Sequence, residues 1–152
     1  MTSWRTGDVN RRCRIEAARF DEADAGHERL HLLDQGTSSL RVERFASHAV
    51  GDIGISVITL AELEYGVSRS CRPAKNRAAL DQFISPLEVS PFDRQATAAY
   101  GKLRATLEKR GRSIGSMDLL IAAHALSLGV RLITHNIREF GGVPGLRVED
   151  WA

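Results

Sequence analysis

Cysteine is scarce: Cys13 and Cys71 are the only two in 152 residues. They stand in polar surroundings, with no C-x-x-C or Cys/His spacing around them, which argues against a disulfide framework or a zinc site and fits a reduced, cytoplasmic setting. Aromatic residues make up 6% of the chain and do not interleave with basic ones, so a stacking platform for single-stranded nucleic acid is not expected. No apolar run approaches membrane-spanning length and the amino terminus has no apolar leader core, so neither a membrane partner nor a secretory leader is expected. No glycine-rich loop follows a strand, which disfavours a nucleotide-binding α/β module. An excess of one charge is missing too: 21 Lys and Arg against 19 Asp and Glu leave +2, which neither requires nor excludes a nucleic-acid partner.

What remains is an ordinary globular composition, 43% hydrophobic and 26% charged, of a length that makes one domain with one sizeable core. Residues 1–27 are charged and lack sustained periodicity, and are expected to form a poorly ordered extension to a domain spanning 28–152. Within that domain, residues 30–33 read as a first strand ending at Asp34, and 42–50 as a short helix. Residues 53–58 read as a strand and 60–68 as the helix after it. Pro73 opens another helix that turns Ala79, Leu80, Phe83 and Ile84 inward. A short strand at 87–89 follows, and then Asp93 caps a helix with Ala96, Tyr100, Leu103 and Leu107 at helical spacing, which Gly111 ends. Strands at 130–134 and 146–148 complete the pattern. Such alternation predicts an α/β fold, a three-layer α/β/α domain with a mostly parallel sheet.

The most informative segment is Ser116-Met117-Asp118-Leu119-Leu120-Ile121-Ala122-Ala123-His124-Ala125-Leu126, which sets a carboxylate in the first turn of an otherwise apolar helix. Ser116 is placed to cap that helix and Gly129 to end it. In Ile55-Ser56-Val57-Ile58-Thr59-Leu60-Ala61-Glu62-Leu63, a β-branched run ends at Thr59 and Glu62 follows by one turn. Taken singly, Asp118 is a good residue for the positive end of a helix, and Thr59 with Glu62 makes a capping box. Taken together they share an address: if both strands are parallel members of one sheet, both helix starts lie beyond its carboxyl edge, where open α/β sheets bind ligands. Carboxylates gathered there repel unless a divalent cation neutralises them, and hard oxygen donors suit Mg²⁺ or Mn²⁺.

Ser56 and Ser116 have no His-Asp relay in view and read as hydrogen-bonding or capping residues; His124 reads as an interior histidine rather than a ligand. Two basic clusters, Arg69, Arg72, Lys75 and Arg77, then Lys102, Arg104, Lys109, Arg110 and Arg112, either track a phosphate backbone or form solvated helix faces. Arg110 and Arg112 are favoured as substrate contacts because they directly precede the Asp118 helix. Leu60, Leu63, Tyr65 and Val67 form either an apolar groove for a partner helix or ordinary core.

With these blocks placed, the chain resembles the PIN-domain ribonucleases, and within them the VapC toxins of bacterial toxin-antitoxin pairs. The resemblance rests on the segments from Ile55 to Gly66, Pro91-Phe92-Asp93, Ile114 to Ala122, and Leu132-Ile133-Thr134-His135-Asn136-Ile137-Arg138-Glu139-Phe140 with Val143-Pro144-Gly145-Leu146 behind it. It implies metal-dependent cleavage of RNA at a Mg²⁺ or Mn²⁺ site, a VapB-like antitoxin partner and a homodimer. It also implies that Asp34, Glu62 and Asp118 are the catalytic, metal-holding carboxylates, that Asn136 is a further metal ligand, and that Thr134 and Ser56 support them. Gln35-Gly36 stand where the family has Thr and Asn, and the interval from Asp34 to Glu62 is shorter than usual. Two functions fit: an active endoribonuclease, or a catalytically impaired PIN-like protein that binds antitoxin or RNA without cleaving it. They differ at Asp34.

Overall fold

The computed structural model describes residues 14–16, 47–48 and 52–150. Its elements are β1 (Arg14–Glu16), β2 (Ile53–Ser56), α1 (Val57–Arg69), α2 (Pro73–Ile84), β3 (Glu88–Ser90), α3 (Arg94–Lys109), α4 (Ser116–Leu128), β4 (Arg131–Ile133), α5 (Ile137–Phe140) and β5 (Arg147–Glu149). The five strands form one sheet in the order β3-β2-β1-β4-β5, and every neighbouring pair is parallel. The chain builds outward from β1 to β3, then returns to the other side of β1 for β4 and β5. The topological switch point therefore lies between β1 and β4, and the carboxyl edge beside it is where such sheets bind ligands.

The central strand of the sheet is Arg14–Glu16, which belongs to the stretch read as an extension, whereas the first strand is expected at residues 30–33. Residues 30–33, Asp34 and Cys13 lie outside the described residues, as does most of the helix expected at 42–50; Ser47 and His48 form a turn and a bend. Elsewhere the elements stand close to where periodicity put them. Pro73 is the first helical residue of α2, and the Asp93 carboxylate accepts the Ala96 N–H at 2.9 Å to cap α3. Between the last two strands, residues 137–140 make a single helical turn.

Register shows how the sheet is covered. Gly54, Ile15 and Leu132 share one row, and Ile55, Glu16 and Ile133 the next. Leu132 packs with Leu103 and Leu107 of α3, Ile121 and Ala125 of α4, and Phe140, while Ile55 packs with Leu63, Val67 and Leu80 of α1 and α2. Successive rows of a pleated sheet face opposite sides, so the two helix pairs cover opposite faces. This is the expected three-layer α/β/α arrangement. α4 is apolar around its whole circumference, as a helix packed on several sides must be, and it lies against both α3 and α1.

Gly129 stops α4 in the left-handed region at φ 65°, and a Cβ added there would meet nothing within 4 Å. The cost of Gly129→Ala is thus backbone strain alone, and a loss of about 1 kcal/mol in a urea unfolding titration is expected.

Candidate active site

Two residues separate α4 from β4, so α4 runs antiparallel to the strand that follows it and begins beyond the sheet's carboxyl edge. Asp118 is its third residue, 4% exposed, with a side-chain oxygen turned back toward Gly115. A carboxylate so deeply buried is tolerable at the positive end of a helix, or beside a cation. The cap of α4 is Gly115 rather than Ser116, which is exposed and already helical, so no side chain competes with Asp118 for the first-turn amides.

The β2–α1 junction also lies at this edge. The strand ends at Ser56, not at Thr59 or Ile58: the Ser56 hydroxyl accepts the Ile58 N–H at 3.1 Å and starts the helix three residues earlier than expected. Thr59 and Glu62 are consequently both inside α1 and do not form a capping box. Thr59 is fully buried and its Oγ1 has no hydrogen-bond partner among the described residues. Glu62 is half-buried.

Beyond β4, Thr134 is buried and its N–H donates to the Glu149 carbonyl at 3.0 Å, extending the sheet by one residue. Its Oγ1 accepts the Asn136 N–H at 3.1 Å, which folds the chain into a tight turn and holds Asn136 at the entry to α5. Thr134 is therefore a loop-shaping residue. Sequence reading passed over one neighbour: Ser90, at the end of β3, is buried at this same edge, in register with Ser56.

His124 is the interior histidine expected, 1% exposed. Its Nδ1 lies 2.8 Å from Ser56 Oγ, and the Phe92 ring meets it edge-on at 5.4 Å between centroids. Burial holds the imidazole below its ordinary value of 6.5, against an opposing pull from the Pro91 carbonyl and the Asp93 carboxylate. Unfolding returns it to 6.5, so as the pH falls the unfolded chain takes up this proton first. The contribution is complete above that value and is lost below it. Acidification from about pH 7.5 to about pH 5.5 is thus expected to lower the urea midpoint, and to lower it less in His124→Leu.

The basic clusters divide. Arg77 grips Glu64 with both guanidinium nitrogens, one at 2.6 Å, and its hydrogen bond is the chief reason that the Glu64 carboxyl lies below its usual range. Arg69 lies over the Tyr65 ring at 5.5 Å. Within the first cluster, Arg69 and Arg77 are thus surface staples on and between α1 and α2. In the second, Arg104 pairs with Glu108 and with the Tyr100 hydroxyl, whereas Lys102, Lys109 and Arg110 are exposed along the end of α3. Arg112 donates to the Gly142 carbonyl at 3.3 Å, which ties the loop before α4 to the loop after α5. Of the four apolar residues weighed as a groove, Leu63 and Val67 are core, Leu60 is half-buried and Tyr65 is 59% exposed.

Among the described residues, no group of three or more His, Cys, Asp and Glu stands as a ready metal cage, and no helix is long and apolar enough to cross a membrane. The oxygen-bearing side chains named for the site stand on separate elements: Thr59 and Glu62 in α1, Asp118 in the first turn of α4, and Thr134 and Asn136 in the turn after β4.

Comparison with known proteins agrees with this fold. Residues 30–145 match the PIN domain family model. Ribonuclease VapC2 of Rickettsia felis is 48% identical over 99 residues, 65% of this chain and 74% of that protein. The tRNA(fMet)-specific endonuclease VapC of Salmonella typhimurium is 47% identical over 97 residues, 64% of this chain and 74% of its own. Among solved structures, DNA-bound VapBC from Salmonella typhimurium superposes with a TM-score of 0.73 at 43% identity, covering 75% of this chain and 86% of that one. VapBC-1 from nontypeable Haemophilus influenzae gives 0.74 at 30% identity, covering 91% and 97%.

Proposed function

Since the chain belongs to the PIN-domain family, we propose that it is a VapC-type toxin, a metal-dependent endoribonuclease restrained by a VapB-like antitoxin. The observation that carries the reading is Asp118: a carboxylate with 4% exposure, in the first turn of an apolar helix that begins beyond the sheet's carboxyl edge. In this reading Asp118, Glu62 and Asp34 hold one or two Mg²⁺ or Mn²⁺ ions, with Asn136 as a further oxygen donor. The donor set fits such an ion. It is all oxygen, it includes the buried Thr59 hydroxyl, which has no partner among the described residues, and it contains no thiolate or imidazole that would favour a softer metal. Asp34 enters the set from the family resemblance, and it falls within residues 30–145 that match the PIN domain.

A hard cation here supplies an acidified water for attack on a phosphodiester and stabilises charge on the phosphoryl oxygens. The protein's part is placement. The α4 amino terminus and the Asp118 carboxylate fix a charged pole at the edge of the sheet, and Thr134 and the Asn136 turn close its far side. Arg110, Lys109 and Lys102 offer cations to the RNA backbone, and Arg112 holds the loop that leads from them to the site. No side chain is needed as a nucleophile, since Ser56 is committed to its cap and to His124. Tyr65, exposed on α1, is the aromatic contact offered to an antitoxin. The protein would act in the cytoplasm and as a homodimer.

The test is cleavage of tRNA(fMet), the substrate named for the Salmonella relative, by purified chain in Mn²⁺. Cleavage that stops on chelation and on addition of a VapB protein is the expected result. Intact tRNA(fMet) and intact total RNA, with saturating Mn²⁺, would favour the second function, a PIN-like binder that does not cut.

A further inference from the structure

α4 carries two ionisable side chains, Asp118 and His124, and both are buried. One faces the candidate site. The other has no role in the chemistry, yet it makes a buried side-chain hydrogen bond across 68 residues of sequence, from His124 Nδ1 to Ser56 Oγ at 2.8 Å. Both partners are essentially without solvent exposure. Ser56 Oγ accepts the Ile58 N–H as the cap of α1, which leaves its hydroxyl proton to donate to the Nδ1 of neutral His124. One hydroxyl thus closes the first turn of the Glu62 helix and grips the Asp118 helix. Phe92, just before α3, meets the imidazole at 72° and fixes the plane of the ring.

The bond lies within two helical turns of each carboxylate along the chain: Ser56 precedes Glu62 by six residues and His124 follows Asp118 by six. Ile58 of α1 also packs against the core around α4, but apolar contact is non-directional: it holds helices together without pinning their rotation or register. A short hydrogen bond in a dry interior does pin them, because either partner left alone is a buried unsatisfied group. Such a pin matters most when no cation is bound, when two carboxylates at one site repel and act to spread their helices.

We propose that the Ser56–His124 pair is a positioning device that locks the Asp118 helix to the Glu62 helix and so presets the carboxylates for a divalent cation. This rests on the reading of Glu62 and Asp118 as one site. His124 is here a positioning residue, reaching the chemistry only through the helix it anchors.

The experiment measures Mn²⁺ affinity by calorimetry, and kcat and KM for tRNA(fMet), on the full chain. His124→Leu and Ser56→Ala are each expected to weaken Mn²⁺ binding about 10- to 100-fold, the range for residues that orient metal ligands. The kcat should fall with KM for RNA unchanged. The double variant should be no worse than the weaker-binding single variant, since both remove one interaction. His124→Asn, whose amide reaches the Nδ1 position, should recover most of the affinity. A folded His124→Leu with wild-type Mn²⁺ affinity and wild-type kcat overturns the proposal; should that variant not fold, wild-type affinity in Ser56→Ala overturns it equally. Asp118→Asn separates the two levels. If it abolishes Mn²⁺ binding while His124→Leu and Ser56→Ala do not weaken it, positioning alone is wrong; if it leaves Mn²⁺ binding intact, the site itself is wrong and positioning falls with it.

Discussion

Asp118→Asn should reduce RNA cleavage by about 10²- to 10³-fold, equivalent to roughly 3–4 kcal/mol of transition-state stabilisation, while the chain stays folded. The substitution keeps volume and hydrogen-bonding capacity but removes a charge from a site in which Asp118 is 4% exposed. Its effect on the fold should be small or even favourable, because a buried carboxylate without a cation costs desolvation energy that an amide does not. Activity and stability thus move in opposite directions in the absence of metal. Glu62→Gln should lose cleavage similarly. The checks are initial rates at saturating Mn²⁺ and a thermal melt of the chelated protein, and a rate equal to wild type in either variant removes that residue from the site.

The second large effect concerns the first carboxylate. The family match spans residues 30–145 and so includes Asp34, whereas the strand at the centre of the sheet ends at Glu16, in register with Ile55 and Ile133 at the carboxyl edge. Both are acidic and both have a claim to one position. Asp34→Asn is expected to reduce cleavage by about 10²-fold or more, as for any ligand to the catalytic cation, and Glu16→Gln to leave it unchanged. Rates measured side by side decide the matter. The reverse pattern would assign the position to Glu16, and loss in neither would leave the cation with Glu62 and Asp118 alone.

Much of this was legible in the sequence where local chemistry governs. Pro73 and Asp93 begin their helices and Gly129 ends one because ring geometry, a cap oxygen and a positive φ act within a turn or so of chain. The apolar circumference of α4 marked it as a buried helix, and that made the carboxylate in its first turn conspicuous. Exact boundaries were less legible. Thr59 and Ser116 are both good cap residues, but Ser56 captures the Ile58 amide first and Gly115 adopts the cap geometry of α4, so each helix begins one or more residues earlier than expected. The choice between competing caps is made by packing, which periodicity does not see. The Ser56–His124 bond was invisible for a different reason. Each residue is individually ordinary, and only the parallel sheet, which puts Ser56 on the α4 side of β2, brings them together. The basic clusters show the same limit: Arg77 and Arg104 look free in the sequence and are paired in the fold.

The central claim is that Asp118 and Glu62, from two helices packed against one another, serve a single cation. Anomalous scattering from a crystal of the protein grown with Mn²⁺ tests it most directly. The account predicts an Mn²⁺ peak coordinated by both carboxylates and lost in Asp118→Asn. A peak that engages one carboxylate without the other, or none at either residue under saturating Mn²⁺, would contradict it.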